Sequence, residues 1–244
     1  MEIAGKVALV TGGAVRLGRA FVEALADAGM RVAIHFGSSG TEADRLVADL
    51  SARGHKAASF GADLRDASAA AALPDRVVER FGRLDVLVNS AAVMIPEGVR
   101  DVTVDHWNDV INLNLRAPFF VAQHAAPHLA RTHGCIVNMA DLGGLEPWPS
   151  YAVHSVSKAG IIMLTKVLAT SLAPDVRVNA LAPGTVLVPD SFDQKKRDAL
   201  AQSTPLQRLG TPDDAVQALM YLVQHADFVT GDVLVVDGGR VLRR

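Results

Sequence analysis

Cysteine occurs once in the 244 residues, at position 135, so no disulfide can form within the chain and a reducing compartment fits. Cys135 follows a glycine and opens an apolar run, which marks it as a buried strand residue rather than a nucleophile. Charge is not in excess of either sign. The 24 Lys and Arg against 26 Asp and Glu leave a net of −2, with no basic patch that would favour nucleic acid. The closing Arg240-Val241-Leu242-Arg243-Arg244 carries too few charges to change that. Long uninterrupted apolar runs are missing, so no segment reads as a membrane span. Strand-like Lys6-Val7-Ala8-Leu9-Val10 begins almost at once, without a separate apolar segment and cleavage site, so no secretory signal is expected. Nor does any stretch read as a linker. The expectation is a soluble, cytoplasmic protein with a single domain over residues 1–244.

Hydrophobic residues make up 50% of the chain, ample for a sizeable core. Four times a helical stretch ends in glycine and a β-type run follows: Gly29 before Arg31–Ile34, Gly54 before Lys56–Phe60, Gly82 before Leu84–Val88, and Gly134 before Cys135–Val137. Glycine stops a helix by adopting the left-handed conformation at little cost, and the apolar run after it suits a strand covered on both faces. Further strands are expected at Val176–Ala180 and Val233–Val236. The pattern predicts an α/β fold: a Rossmann-type, doubly wound parallel sheet of about seven strands with helices on both faces. Residues Tyr151–Leu172 read as one long helix, apolar on most of its circumference from Ile161 onward, which predicts burial in a homo-oligomer. Residues 186–204 change character and read as a substrate lid or as a surface excursion, with Asp190 and Phe192 as weaker site candidates.

After the first strand comes Thr11-Gly12-Gly13-Ala14-Val15-Arg16-Leu17-Gly18, opening a helix. Its glycines permit a tight turn and close approach of backbone to a pyrophosphate at the helix N-terminus. An acidic residue expected about 20 residues later, to hold a ribose 2′-hydroxyl, is missing. The segment reads His35-Phe36-Gly37-Ser38-Ser39, with no carboxylate before Glu42. Arg16 could pair with a 2′-phosphate, with Ser38 and Ser39 beside it, which favours NADPH; the plainer alternative is a solvated arginine and a serine turn. Asp63 could meet the adenine edge or cap the next helix, and Leu64 follows it.

Together with Asn89-Ser90-Ala91-Ala92, Asn114, Asn138-Met139-Ala140-Asp141, the helix carrying Lys158, Pro183-Gly184-Thr185 and Asp237-Gly238-Gly239, this loop resembles the short-chain dehydrogenase/reductase family over essentially the whole chain. Arg16, Asp141 in place of a serine, and Asn114-Leu115-Arg116-Ala117-Pro118 are similar to its pteridine reductase branch. The resemblance implies hydride transfer from a nicotinamide and a catalytic tyrosine four residues before Lys158. That position is His154. The resemblance further implies that Lys158 binds the ribose and that Asn114 holds a water. It would place Asn89, Ser90 and Ala91 beneath the cofactor, and Pro183, Gly184, Thr185 and Val186 at the carboxamide.

An imidazole offers a usable proton near neutrality, with an unperturbed pKa of about 6.5. A ketone becoming an alkoxide needs a donor throughout, whereas an imine that arrives protonated needs less help. The expected reaction is therefore NADPH-dependent reduction of a C=N bond in a pterin or related cyclic imine, with His154, Asp141, Lys158 and Asn114 as catalytic residues. Alternatives are a carbonyl reductase and a catalytically silent dinucleotide-binding regulator. Tyr151, two turns before Lys158, is a second candidate donor. Met94 and Trp148 could pack on a flat heterocycle or line a rim or oligomer contact. His124 and His128 share a metal-capable spacing without a third ligand, so solvated or interface histidines are expected there and no metal. The expected partner is a small heterocyclic substrate, with neither nucleic acid nor membrane, in a homotetramer.

Overall fold

The computed structural model describes residues 1–188 and 192–242, so Asp190 and the last two arginines lie outside the described residues. Seven parallel strands form one sheet: β1 (Val7–Thr11), β2 (Arg31–Phe36), β3 (Ala57–Gly61), β4 (Val86–Asn89), β5 (Cys135–Met139), β6 (Arg177–Pro183) and β7 (Val233–Val236). Their order is β3-β2-β1-β4-β5-β6-β7. Strand positions agree with the expected runs to within three residues at either end, and β7 matches its run end to end.

Period-two alternation sends each strand's side chains into two cores. Ala8 and Val10 of β1 join a cluster with α1 (Arg16–Asp27), α2 (Gly40–Ala52) and α8 (Pro212–Gln224). Val7 and Leu9 join another, under α3 (Ala67–Phe81), α5 (Ala117–Ala130) and α6 (Ala152–Leu172). A strand buried on both faces needs apolar residues at every position, and β1 is buried throughout. The chain runs from β1 outward through β2 to β3, then returns to place β4 on the other side of β1. Neighbouring connections therefore leave the sheet in opposite directions between β1 and β4. The crevice that opens there, at the strands' carboxyl ends, is where a doubly wound fold holds a ligand.

Gly29, Gly54 and Gly82 have φ of 86°, 83° and 81°, the left-handed helix stop that their spacing predicted. The fourth position differs. There His133 takes the left-handed conformation (φ 48°), and Gly134 serves close packing, because a Cβ on it would overlap the Asp85 carbonyl. Cys135 is buried in β5, and burial pushes its thiol up to about 11, so it is no nucleophile.

Helix α6 is long and apolar enough to match a membrane span by length and composition, yet half of that stretch is buried in the fold. It is not covered all round within one chain. Val153, Ile161, Leu164 and Leu168 face the core, while Val156, Met163 and Val167 are exposed. The stretch expected to be a lid contains α7 (Gln194–Gln202), capped by the Asp193 carboxylate on the Lys196 amide (2.8 Å), with no buried residue.

The two kinds of glycine separate in stability. Gly134→Ala should cost more than about 2 kcal/mol, since the carbonyl it meets is main chain. Gly54→Ala, with open space around its Cβ, should cost only about 1 kcal/mol. His133→Gly should stabilise by up to about 1 kcal/mol. Urea denaturation of the three variants gives the comparison; equal losses at Gly134 and Gly54 would contradict the packing account.

Candidate active site

The phosphate loop is built by contacts that leave no room for side chains. Gly12 takes a positive φ of 64°, and a Cβ there would lie 2.9 Å from the Ala91 Cα. A Cβ on Gly18 would overlap the Gly12 carbonyl, locking the start of α1 onto the turn. Thr11 Oγ1 accepts the Ser90 and Ala91 amides at 2.9 and 3.0 Å, tying the loop after β4 to the loop after β1. The N-terminus of α1 is preceded by Val15, which supplies no side-chain cap, and its first turn holds no acidic residue. Free amides at a helix N-terminus beside a glycine cradle fit a pyrophosphate.

Around this cradle Arg16 is exposed, has φ 53°, and its side chain makes no hydrogen bond or ion pair among the described residues. Ser38 is exposed and Ser39, at the start of α2, makes no capping bond. His35 does something else. It is buried, its Nδ1 accepts the Gly12 amide (3.1 Å), and its Nε2 lies 3.0 Å from the Ala62 carbonyl, to which it donates. The ring thus braces the glycine loop against the segment after β3. Burial lowers its pKa to about 4, so it stays neutral, as its acceptor role at Nδ1 requires. Asp63 does not cap α3: Asp66 does, through the Ser68 amide (2.8 Å), while Asp63 accepts the Arg65 amide at 3.0 Å. Leu64 is buried.

At the far side of the crevice, Asn89 is buried with Nδ2 donating to Asn138 Oδ1 (2.9 Å), and its own Oδ1 is unpartnered. Pro183 ends β6, and Gly184, Thr185 and Val186 follow it; the Thr185 hydroxyl accepts from Arg240 (2.9 Å), and Gly184 fits against Asp237, which a Cβ would meet at 2.8 Å. Orphaned Asn89, the side-chain-free cradle and the uncapped helix fit a nicotinamide dinucleotide.

The structure brings Asn114, Asp141, His154 and Lys158 together. Asn114 sits in a π-helical turn, Asn112–Arg116, between α4 (Val104–Ile111) and α5. The extra residue per turn re-aims its buried side chain, which donates to the Val93 carbonyl and accepts the Val93 amide, both at 2.8 Å. Its amide therefore clamps the 91–97 loop. His154, in the first turn of α6, is buried; its Nε2 lies 2.5 Å from Asp141 Oδ2, beyond the end of β5. His154 Nδ1 lies 3.4 Å from the Val93 carbonyl. Lys158 is buried, with Nζ donating to the Met139 carbonyl at 2.6 Å. Burial pushes its ammonium below the usual lysine range, against the pull of Asp141. For Asp141 burial opposes ionisation, but the hydrogen bond and charge of His154, aided by Lys158, outweigh it and hold the carboxyl below its ordinary range.

Trp148 is half-buried and Tyr151 packs against it edge-on, ring centroids 6.3 Å apart; Met94 is exposed. Phe192 is half-buried ahead of α7, and Lys196 Nζ lies 5.4 Å from its ring centroid. His128 joins Asp75 at 2.6 Å. What the sequence did not signal is the brace at His35 and the stack of Trp148 on His154, since both depend on how side chains distant in sequence turn toward each other.

A family model described as enoyl-(acyl carrier protein) reductase matches residues 13–240. The chain is 33% identical over 249 residues to glucose 1-dehydrogenase 2 of Bacillus subtilis, covering 99% of this chain and 96% of that one. It is 33% identical over 247 residues to a 3-oxoacyl-(acyl-carrier-protein) reductase of Thermotoga maritima, covering 99% and 100%. Among solved structures, a mutant short-chain dehydrogenase/reductase of Serratia marcescens superposes with a TM-score of 0.91 at 31% identity over 99% of this chain and 100% of that one. A putative short-chain alcohol dehydrogenase of Sinorhizobium meliloti also gives a TM-score of 0.91, at 30% identity over 99% and 98%.

The His35 brace has a pH signature. An unfolded histidine takes up a proton near its ordinary value of about 6.5, whereas folded His35 resists until about 4. Between those values the unfolded chain binds more protons, so stability rises with pH through this window and is lost as pH falls. At pH 4.5 the loss should be roughly 2–3 kcal/mol relative to pH 7. His35→Gln should lack that share of the pH dependence and raise KM for the dinucleotide while sparing kcat. Denaturation midpoints that fall in parallel for both proteins would refute the brace.

Proposed function

The chain belongs to the short-chain dehydrogenase/reductase family, and from that premise we propose an NADPH-dependent reductase of a carbonyl group that runs in reverse as an alcohol dehydrogenase. The observation that carries this reading is the buried contact of His154 Nε2 with Asp141 Oδ2 at 2.5 Å, beside Lys158. The names of the relatives, a 3-oxoacyl reductase and a glucose dehydrogenase, favour carbonyl and alcohol chemistry over the C=N reduction first expected.

A dinucleotide held here would supply a hydride from the nicotinamide C4. Gly12, Gly18 and the α1 amides would hold its pyrophosphate, with Leu17 alongside. Asn89, Ser90, Ala91 and residues 183–186 would flank the nicotinamide end, and Lys158 would reach the ribose hydroxyls. Arg16, Ser38 and Ser39 are cation and hydroxyl donors with no carboxylate among them, a set suited to a 2′-phosphate. As a carbonyl oxygen gains negative charge it needs a proton. His154 and Asp141 hold one between Nε2 and Oδ2, where Asp141 stabilises the imidazolium until transfer. Lys158 adds positive potential in a site shielded from water. In the opposite direction the same pair accepts the alcohol proton.

A second reading remains for one reason. Asp141 Oδ1 is buried without a hydrogen-bond partner, and a heterocycle's N–H could satisfy it where a ketone has no donor to offer. Reduction of a pterin or cyclic imine is that reading. The exposed apolar side chains of α6, with Phe119 on α5, support a homo-oligomer, and a tetramer would bury more than one such face. The single buried cysteine agrees with a cytoplasmic setting.

NADPH oxidation measured against 3-oxoacyl thioesters, aldoses and other ketones, dihydropterins and cyclic imines decides the class. Turnover of carbonyls alone is expected; turnover of C=N compounds alone would transfer the assignment to the second reading, and inertness toward all would leave a silent binder. His154→Gln and Asp141→Asn should each lower kcat about 100-fold or more, the usual worth of a positioned acid. Arg16→Gly should raise KM for NADPH about tenfold, leave NADH unaffected, and keep or increase stability, because φ 53° suits glycine better. Equal effects on the two dinucleotides would refute the phosphate role.

A further inference from the structure

His154 does not stand free in the site. The indole of Trp148 lies nearly parallel to its imidazole, 12° between planes and 6.2 Å between centroids. That indole is itself fixed at several points. Its Nε1–H donates to Glu146 Oε1 at 3.0 Å, and its main-chain amide donates to Ser155 Oγ at 3.3 Å. Tyr151 packs edge-on against it. A Cβ on Gly143 would sit 3.0 Å from both Trp148 Cε3 and Asp141 Oδ1, so the same glycine seats the indole and the carboxylate. The charged and titratable groups around the imidazole are Asp141 beyond β5, Lys158 one turn along α6, Tyr151 at the start of α6, and Glu146 behind the indole.

We propose that Trp148 is a positioning residue for the proton-donating pair, holding the His154 ring so that Nε2 stays on Asp141, with Glu146 anchoring the indole. The proposal rests on the donor role assigned to that pair. An imidazole can rotate about its side-chain bonds, and Nδ1 has only long contacts with Val93 and Asn114 to resist this. A flat ring stacked on one face restricts the rotation and attracts the charged form of the imidazole without adding a competing hydrogen bond. The residue's place is thus beside the donor and not on the reacting atoms.

Indole emission is quenched more by an imidazolium than by a neutral imidazole, so the clamp can be read without turnover. In a Trp107→Phe background, which leaves Trp148 as the sole tryptophan, His154→Gln should raise the emission by removing the imidazole stacked on the indole. Trp148→Leu should lower kcat at least tenfold and change the shape of its pH profile, with KM for NADPH within twofold. Trp148→Phe keeps a flat ring and should recover most of the rate. Emission indifferent to the His154 substitution would overturn the clamp, as would a Trp148→Leu enzyme that changes only the substrate KM with its pH profile intact. Full turnover in His154→Gln would instead overturn the donor role on which the proposal rests.

Discussion

All seven strands run the same way, and that constraint places every functional group. Parallel strands need long crossovers, the crossovers cover both faces, and only the strand ends remain open for polar chemistry. Gly12, Asn89, Asp141 and Thr185 each lie at or just beyond the carboxyl end of a strand, on β1, β4, β5 and β6. Buried polar groups gather there because the backbone changes direction and leaves amides and carbonyls to be met. Thr11 satisfies the Ser90 and Ala91 amides, His35 the Gly12 amide, and Asn114 the Val93 amide. These bonds are the scaffold of the crevice, and each ties a loop to a segment distant from it in sequence.

Charge is concentrated on its inner wall. Asp141, His154 and Lys158 come from β5 and α6 and exchange stabilisation. Lys158 and His154 keep Asp141 ionised, and Asp141 limits how far burial depresses Lys158. Removing any one leaves the others as uncompensated buried groups, so losses among the three will not add. A site of this kind stores proton affinity in mutual distances more than in any single side chain.

Much of this is legible in the amino-acid sequence. Apolar runs after glycine located the strands, because a strand covered on both faces has nowhere to put polar residues. Gly12 and Gly18 were legible because backbone approach to phosphate tolerates no Cβ. Gly134 was found for the wrong reason: helix stop and close packing select the same residue, and only φ tells them apart. Asp63 and Asp66 are both spaced to cap a helix, and a shift of three residues lies beyond what propensity resolves. His35 reads as one polar residue in a strand, with nothing to show that its ring would turn inward. The π-helical turn at Asn114 depends on how α5 packs, and the Trp148 stack on rotamers chosen by neighbours far along the chain. The sequence of α6 shows an apolar circumference from Ile161 onward, but apolar residues alone do not say which neighbour covers each side, and Val156, Met163 and Val167 are left exposed by this chain.

An imidazole reaches less far than a phenol, which sets a geometric problem for a proton donor on α6. In this chain the proton's position is shared between α6 and the end of β5, so it depends on the separation of those two elements. That separation is fixed on both sides of the pair. Gly144, just after Asp141, lies against the Lys158 backbone so closely that a Cβ would meet its carbonyl at 2.8 Å. Lys158 Nζ holds the Met139 carbonyl at 2.6 Å, two residues before Asp141. The lysine therefore has a mechanical role beside its electrostatic one: it ties helix to strand at the level where the carboxylate meets the ring. A tyrosine donor would need only its own helix to be in place, whereas His154 and Asp141 need the docking of α6 on β5 to hold within a few tenths of an ångström.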